Sequence, residues 1–207
     1  KPDTSPEVEL SYLTNSDCIS FGEECFGDKG SVPIVDASGA LISALCHFRE
    51  LVRSSAKGEW IVLGHRSPSE SDADVSLSSN RARLVKLLLL GDVKSFGKQA
   101  SDLATVFDLQ ACLKGFSEGF SLDCDPGKVD GIEGPKTKAA IRHFQESRDI
   151  TADGIAGPVT WAEIGQSILD LVAESEDEFE FDASKIKFGP MAIDGIWGCL
   201  DPNSQGE

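Results

Sequence analysis

Apolar positions recur at helical spacing in several stretches of the chain. Leu41, Leu45, Phe48, Leu51 and Val52 fall on one face, and Asp36 ahead of them can cap, so a helix is predicted from Asp36 to Ala56. Trp60-Ile61-Val62-Leu63 is a short continuous apolar run closed by Gly64, the pattern of a buried strand. A polar loop follows from Ser67 to Ser76. Beyond it, Ser78-Ser79-Asn80-Arg81-Ala82 leads into Val85, Leu88 and Leu89, a second helix with a wide apolar face. Past Asp102, Val106, Leu109, Gln110 and Leu113 give another helical stripe that ends among Gly115 and Gly119. Near the end, Phe179, Phe181, Ile186 and Phe188 are spaced as a strand would space them.

Two internal repeats stand out. Asp130-Gly131-Ile132-Glu133-Gly134-Pro135-Lys136-Thr137 and Asp153-Gly154-Ile155-Ala156-Gly157-Pro158-Val159-Thr160 share the form Asp-Gly-Ile-x-Gly-Pro-x-Thr, 23 residues apart. Each encodes a turn feeding a helix: Asp-Gly supplies the tight turn, and Pro sits at the first helical position, where its missing N–H costs nothing. Thr137, Ala140, Ile141 and Phe144 then form one helical face, and Trp161, Ile164, Ile168 and Leu171 another. Asp130, Gly131, Gly134, Asp153, Gly154 and Gly157 are expected to build turns and caps. A third echo, Ile193-Asp194-Gly195-Ile196-Trp197-Gly198, lacks the Pro and Thr that start a helix and reads as a turn.

Charge narrows the partners. Nineteen Lys and Arg against 35 Asp and Glu give a formal net charge of −16, which offers no general support for counterion-release binding, so nucleic acid is not expected as a partner. Seven acids and no base lie between Asp170 and Asp182, the composition of a solvated linker. No run approaches the roughly 18–20 apolar residues of a membrane span. The chain opens at Lys1 with neither an initiator Met nor a signal peptide, which reads as a mature or trimmed form. Six cysteines (Cys18, Cys25, Cys46, Cys112, Cys124, Cys199), with no CxxC and no zinc-finger histidine spacing, favour disulfides and an oxidising compartment over a metal site.

On Leu109, Gln110 and Leu113, then Val129-Asp130-Gly131 with Gly134-Pro135-Lys136-Thr137, Ala140, Phe144-Gln145, Asp153-Gly154-Ile155, Gly157-Pro158 and Thr160-Trp161, the second part of the chain resembles the bacterial peptidoglycan-binding domain of the three-helix type. The resemblance implies a small non-catalytic helical module that holds a larger protein on cell-wall glycopeptide. The first part resembles an OmpA-like domain through Gly64-His65 and Leu77-Ser78-Ser79-Asn80-Arg81-Ala82. That resemblance implies a site for the zwitterionic end of diaminopimelate, with Arg81 gripping the carboxylate bidentately. Ser67 stands where the family has an Asp, and a hydroxyl cannot pair the ammonium, so Asp72 or Asp74 would have to supply that charge. His65 and Arg66 complete this candidate set.

The fold expected from both resemblances is α+β: an OmpA-like α/β sandwich carrying an all-α three-helix peptidoglycan-binding module. The divisions are a flexible lead-in (1–17), the first part of the OmpA-like domain (18–101), the helical module (102–172), and an acidic linker with a return segment (173–207). The closing strand of the OmpA-like family is missing after Cys199, which leaves that domain truncated, remodelled, or completed by a partner. In the module, Arg142 and His143 lie beside the core face and are candidate contacts for glycan or stem peptide. Trp161 stays among the candidate contacts, although its apolar helical face points to the core.

Catalysis finds no motif. His47, His65 and His143 form no HExxH and accompany no nucleophile signature such as GxSxG, and His47 next to Cys46 reads as an accidental neighbour. No cofactor and no metal are expected. The function expected is non-catalytic binding of peptidoglycan in a periplasmic or secreted setting of the bacterial envelope, anchoring a larger envelope or secretion-apparatus assembly. A wall-cleaving enzyme or toxin carrying the same modules, and a protein–protein adaptor, are the alternatives. Stem peptides carry carboxylates, so a chain at −16 must bind through a local basic or dipolar pocket rather than through its bulk charge.

Overall fold

The computed structural model describes residues 25–26, 30–54, 59–60, 62, 64, 76–175 and 187–188. Among them the chain forms six helices: α1 (Ala40–Ser54), α2 (Leu77–Leu89), α3 (Val93–Leu103), α4 (Val106–Phe120), α5 (Pro135–Ser147) and α6 (Pro158–Glu174). The β-structure described is one parallel pairing of two residues each, β1 (Glu59–Trp60) with β2 (Lys187–Phe188), in the register Glu59 to Lys187 and Trp60 to Phe188. This corrects the expected α/β sandwich. Two paired residues cannot form a layer, and the described residues are helical in architecture. In place of a sheet, Val32, Ile34 and Val35 of the segment before α1 are buried in irregular backbone and join the helical core.

The helix boundaries follow from local chemistry. Thr105 and Asp108 form a capping box at the start of α4: the Thr105 hydroxyl accepts from Asp108 N at 3.2 Å while Asp108 Oδ2 accepts from Thr105 N at 2.8 Å. α5 and α6 each start with an extended Gly followed by Pro at the first turn. α2 stops in a Schellman arrangement, with Gly91 at φ +68°, its N–H donating to Leu88 O, and Asp92 N–H reaching Leu87 O. Asp36 makes an Asx-type turn, its Oδ1 accepting from Ser38 Oγ and from Ala40 N, and the helix starts after it at Ala40 rather than at Asp36.

One continuous core runs through all of this. Trp161, Phe96, Phe116, Phe144, Leu113, Ile141, Ile164 and Ile168 are completely buried, and the rings of Phe116 and Phe144 stack with centroids 5.8 Å apart. The same cluster takes in Phe26, Val35, Leu41 and Leu45 from the N-terminal side of residue 102. Glycines set the closeness of these contacts. A Cβ on Gly97 of α3 would collide with Pro158 O and the Ala162 backbone of α6, one on Gly165 of α6 would collide with the Phe96 ring, and one on Gly115 of α4 would strike Val35 O. Thus α3 lies flush on α6, and the segment before α1 lies flush on α4.

Candidate ligand-binding surface

A buried glutamine organises each repeat. On α4, Gln110 is 1% exposed, and its Oε1 accepts from the backbone N–H of Asp130 (3.0 Å) and Gly131 (2.7 Å). Its Nε2 faces Asp130 Oδ1, Ile132 O and Thr137 Oγ1 at 3.0–3.2 Å, three acceptors for two amide protons. On α5, Gln145 repeats the arrangement: Oε1 accepts from Gly154 N at 2.8 Å, and Nε2 faces Asp153 Oδ1 (2.9 Å), Ile155 O (3.1 Å) and Thr160 Oγ1 (2.9 Å). Each amide therefore ties one helix to the Asp-Gly-Ile loop and to the first turn of the next helix. α5 belongs to both units, as the receiving helix of the first and the glutamine-bearing helix of the second.

The aspartates of the two loops are held ionised. Asp130 accepts from Ile132 N (3.0 Å) and Asp153 from Ile155 N (2.8 Å), and these bonds, with the glutamine amides, hold both carboxyls below the usual range. Gly131 and Gly154 both sit at φ +75°, where a side chain is strained. With the backbone turned inward to the amides, the loop side chains point out: Ile132 is 67% and Ile155 65% exposed. Three residues before each glutamine stands the helix residue that flanks its loop, Phe107 (39% exposed) beside Gly131 in the first unit and Arg142 beside Gly154 in the second.

The sequence-derived candidates fall in different places. Arg142 is exposed, its Nε 3.0 Å from where a Cβ on Gly154 would lie. His143 is half exposed, with Nδ1 3.9 Å from Asp123 Oδ2. Trp161 is 2% exposed and part of the core. Arg81 is used within the fold: its Nε donates to Gly30 O at 2.9 Å and its guanidinium lies 5.3 Å from the centroid of the Phe26 ring. His65, Arg66, Ser67, Asp72 and Asp74 lie outside the described residues. The sequence reading missed Gln110 and Gln145 as organisers, and Phe107, Ile132 and Ile155 as surface. The available signal was an amide inside each apolar stripe, next to Leu109 and next to Phe144.

No disulfide forms among Cys25, Cys46, Cys112 and Cys124, and Cys18 and Cys199 lie outside the described residues. Burial pushes the Cys112 and Cys124 thiols up to about 12, which keeps both protonated and inert as nucleophiles at neutral pH. Among the described residues no group of three or more His, Cys, Asp or Glu is placed to hold a metal ion. No described helix is long and apolar enough to cross a membrane.

Residues 103–164 match the family model described as "Putative peptidoglycan binding domain". This segment contains Gln110, Gln145 and both loops, so the helical unit built on the two amides is the part of the chain that is similar to peptidoglycan-binding domains. Two curated relatives share short stretches with the chain. The "Uncharacterized protein in bpoA1 3'region" of Kitasatospora aureofaciens is 53% identical over 36 residues, 17% of this chain and 30% of that protein. The zinc D-Ala-D-Ala carboxypeptidase of Streptomyces albus G is 53% identical over 38 residues, 18% of this chain and 15% of that enzyme. The chain thus spans under a third of the length of either relative. No solved structure matches it significantly.

Proposed function

We propose that this chain is a non-catalytic peptidoglycan-binding protein that anchors or targets a larger assembly at the bacterial cell envelope, in the periplasm or outside the cell. The observation that carries the reading is the match of residues 103–164 to the peptidoglycan-binding family, over the segment where two amide-tied loops present Phe107, Ile132, Arg142 and Ile155 to solvent. Such loops suit recognition, because their backbones are fixed before any ligand arrives and little ordering entropy is lost on binding. Their carboxyls suit binding better than acid catalysis. A general acid needs a raised pKa, whereas Asp130 and Asp153 are held low by the bonds they accept.

The short similarity to a zinc D-Ala-D-Ala carboxypeptidase favours a second reading, in which the module delivers a wall-cleaving enzyme to its substrate. One assay separates the two. The chain is mixed with purified sacculi, the pellet is assayed for protein, and the supernatant is chromatographed for muropeptides. Retention with no new soluble fragments is expected; release of fragments would establish the enzyme, and absence from the pellet would overturn both readings.

A further inference from the structure

The two amide-tied units are built alike and finished differently. Phe107 in the first and Arg142 in the second occupy the same position, three residues before the organising glutamine and beside the left-handed glycine of the loop. In the second unit the guanidinium lies against the loop backbone: a Cβ on Gly154 would sit 3.0–3.2 Å from Arg142 Nε, Cγ and Cζ. Yet among the described residues Arg142 donates no hydrogen bond and makes no ion pair. Asp153, whose carboxylate feels the Arg142 charge, spends Oδ1 on Ile155 N and Gln145 Nε2. The Arg142 N–H donors are therefore without a partner among the described residues, on an exposed side chain that rests against the Gly154 turn.

The surroundings select the ligand. α5 itself carries Lys136, Lys138 and Arg142 against the single acid Glu146, a local concentration of cations in a chain at −16, with Asp123 facing His143 and Asp153 close to Arg142. Lys138 lies one helical turn from Arg142 and is exposed. Ile155, next to Gly154, adds a solvent-facing alkyl surface. A guanidinium resting on the turn, with a second cation one helical turn away, matches a carboxylate, and the adjoining isoleucine matches a small alkyl group beside it. The uncharged glycan hydroxyls would gain nothing from the charge.

We infer that Arg142, with the Gly154–Ile155 turn and Lys138, forms a subsite for a carboxylate of the peptidoglycan stem peptide, so that the second unit reads peptide rather than sugar. The inference rests on the wall-binding reading above and deepens it. Binding of the 207-residue chain to intact sacculi is measured without and with saturating soluble stem tripeptide as competitor, for the unaltered chain, Arg142→Ala and Arg142→Lys, each checked for folding by circular dichroism. The competitor and Arg142→Ala should each weaken binding about tenfold, the worth of a charge-assisted hydrogen bond, with Arg142→Lys in between. Undiminished binding of the unaltered chain under saturating competitor, or undiminished binding by a folded Arg142→Ala, overturns the subsite and leaves wall binding standing. Failure of the unaltered chain to bind intact sacculi overturns both. Should Arg142→Ala not fold, titration of the unaltered chain with soluble stem tripeptide gives the same answer by NMR: amide shifts at Gly154 and Ile155 support the subsite, and their absence overturns it.

Discussion

Gln145 Nε2 stands 2.9 Å from Thr160 Oγ1, and the corresponding amide of Gln110 stands 3.0 Å from Thr137 Oγ1, so one buried contact recurs in both units. In each pair the threonine opens a new helix and the glutamine sits on the preceding one. The Asp-Gly-Ile loop between them is tied to that glutamine, and its aspartate closes it further by accepting from the isoleucine N–H.

Because Gln145 bonds Gly154 N, Asp153 Oδ1 and Ile155 O together, its removal takes the amide-oxygen partner from Gly154 N and strips one bond each from Asp153 Oδ1 and Ile155 O. Gln145→Ala should cost about 2–4 kcal/mol of unfolding free energy in urea titrations, well above a surface substitution. Gln145→Glu should cost more at neutral pH than at pH 4, since a carboxylate there would face Asp153.

The pH dependence has two opposing parts. Asp130 and Asp153 have lowered folded pKa values, so their contribution is present above the ordinary carboxylate value of about 4 and lost as pH falls through the folded values. Asp108 is raised, burial outweighing its bonds to Thr105, so the folded state holds its proton more tightly and stability falls as pH rises from about 4 through the folded value. Asp153→Asn keeps an oxygen acceptor for Ile155 N and removes one titration. Acid unfolding followed by circular dichroism below pH 4 should become shallower in that variant.

Close helix contact gives a graded test. Gly97→Ala places a methyl against the Ala162 backbone and should destabilise by about 1–3 kcal/mol. Gly134→Ala meets nothing within 4 Å at φ −91° and should change stability by less than about 0.5 kcal/mol. Equal midpoints for the two variants in thermal melts would contradict the flush packing of α3 on α6.

That packing also shows what was legible in the sequence. The two repeats were readable because turn chemistry is local: Asp-Gly, Gly-Pro and the helical stripes after them announce the loops and helices without reference to the rest of the chain. α3 was not anticipated, although Val93, Phe96, Ala100 and Leu103 recur at helical spacing, because that stripe is short and its buried face includes the small residues Gly97 and Ala100 that permit close approach. The glutamines were visible only as polar residues within apolar faces, since their partners lie 8 to 27 residues away along the chain. Trp60-Ile61-Val62-Leu63 suggested a sheet, but a short apolar run fits several environments, and the described pairing includes Glu59 and, of this run, Trp60.

Since Phe96 and Ala100 are buried against the helical module, a unit cut at 102 should lack part of its own core. A fragment of residues 93–175 should melt cooperatively and at higher temperature than one of residues 102–172. Circular dichroism melts of the two compare them directly, and identical melts would contradict the role given to α3.

The central claim is that this chain adheres to peptidoglycan, and its most direct test is the fraction of protein pelleting as purified sacculi are increased at physiological salt. Adhesion gives a saturable curve that reaches a plateau with the chain in the pellet. A chain that stays in the supernatant at every sacculus concentration contradicts it.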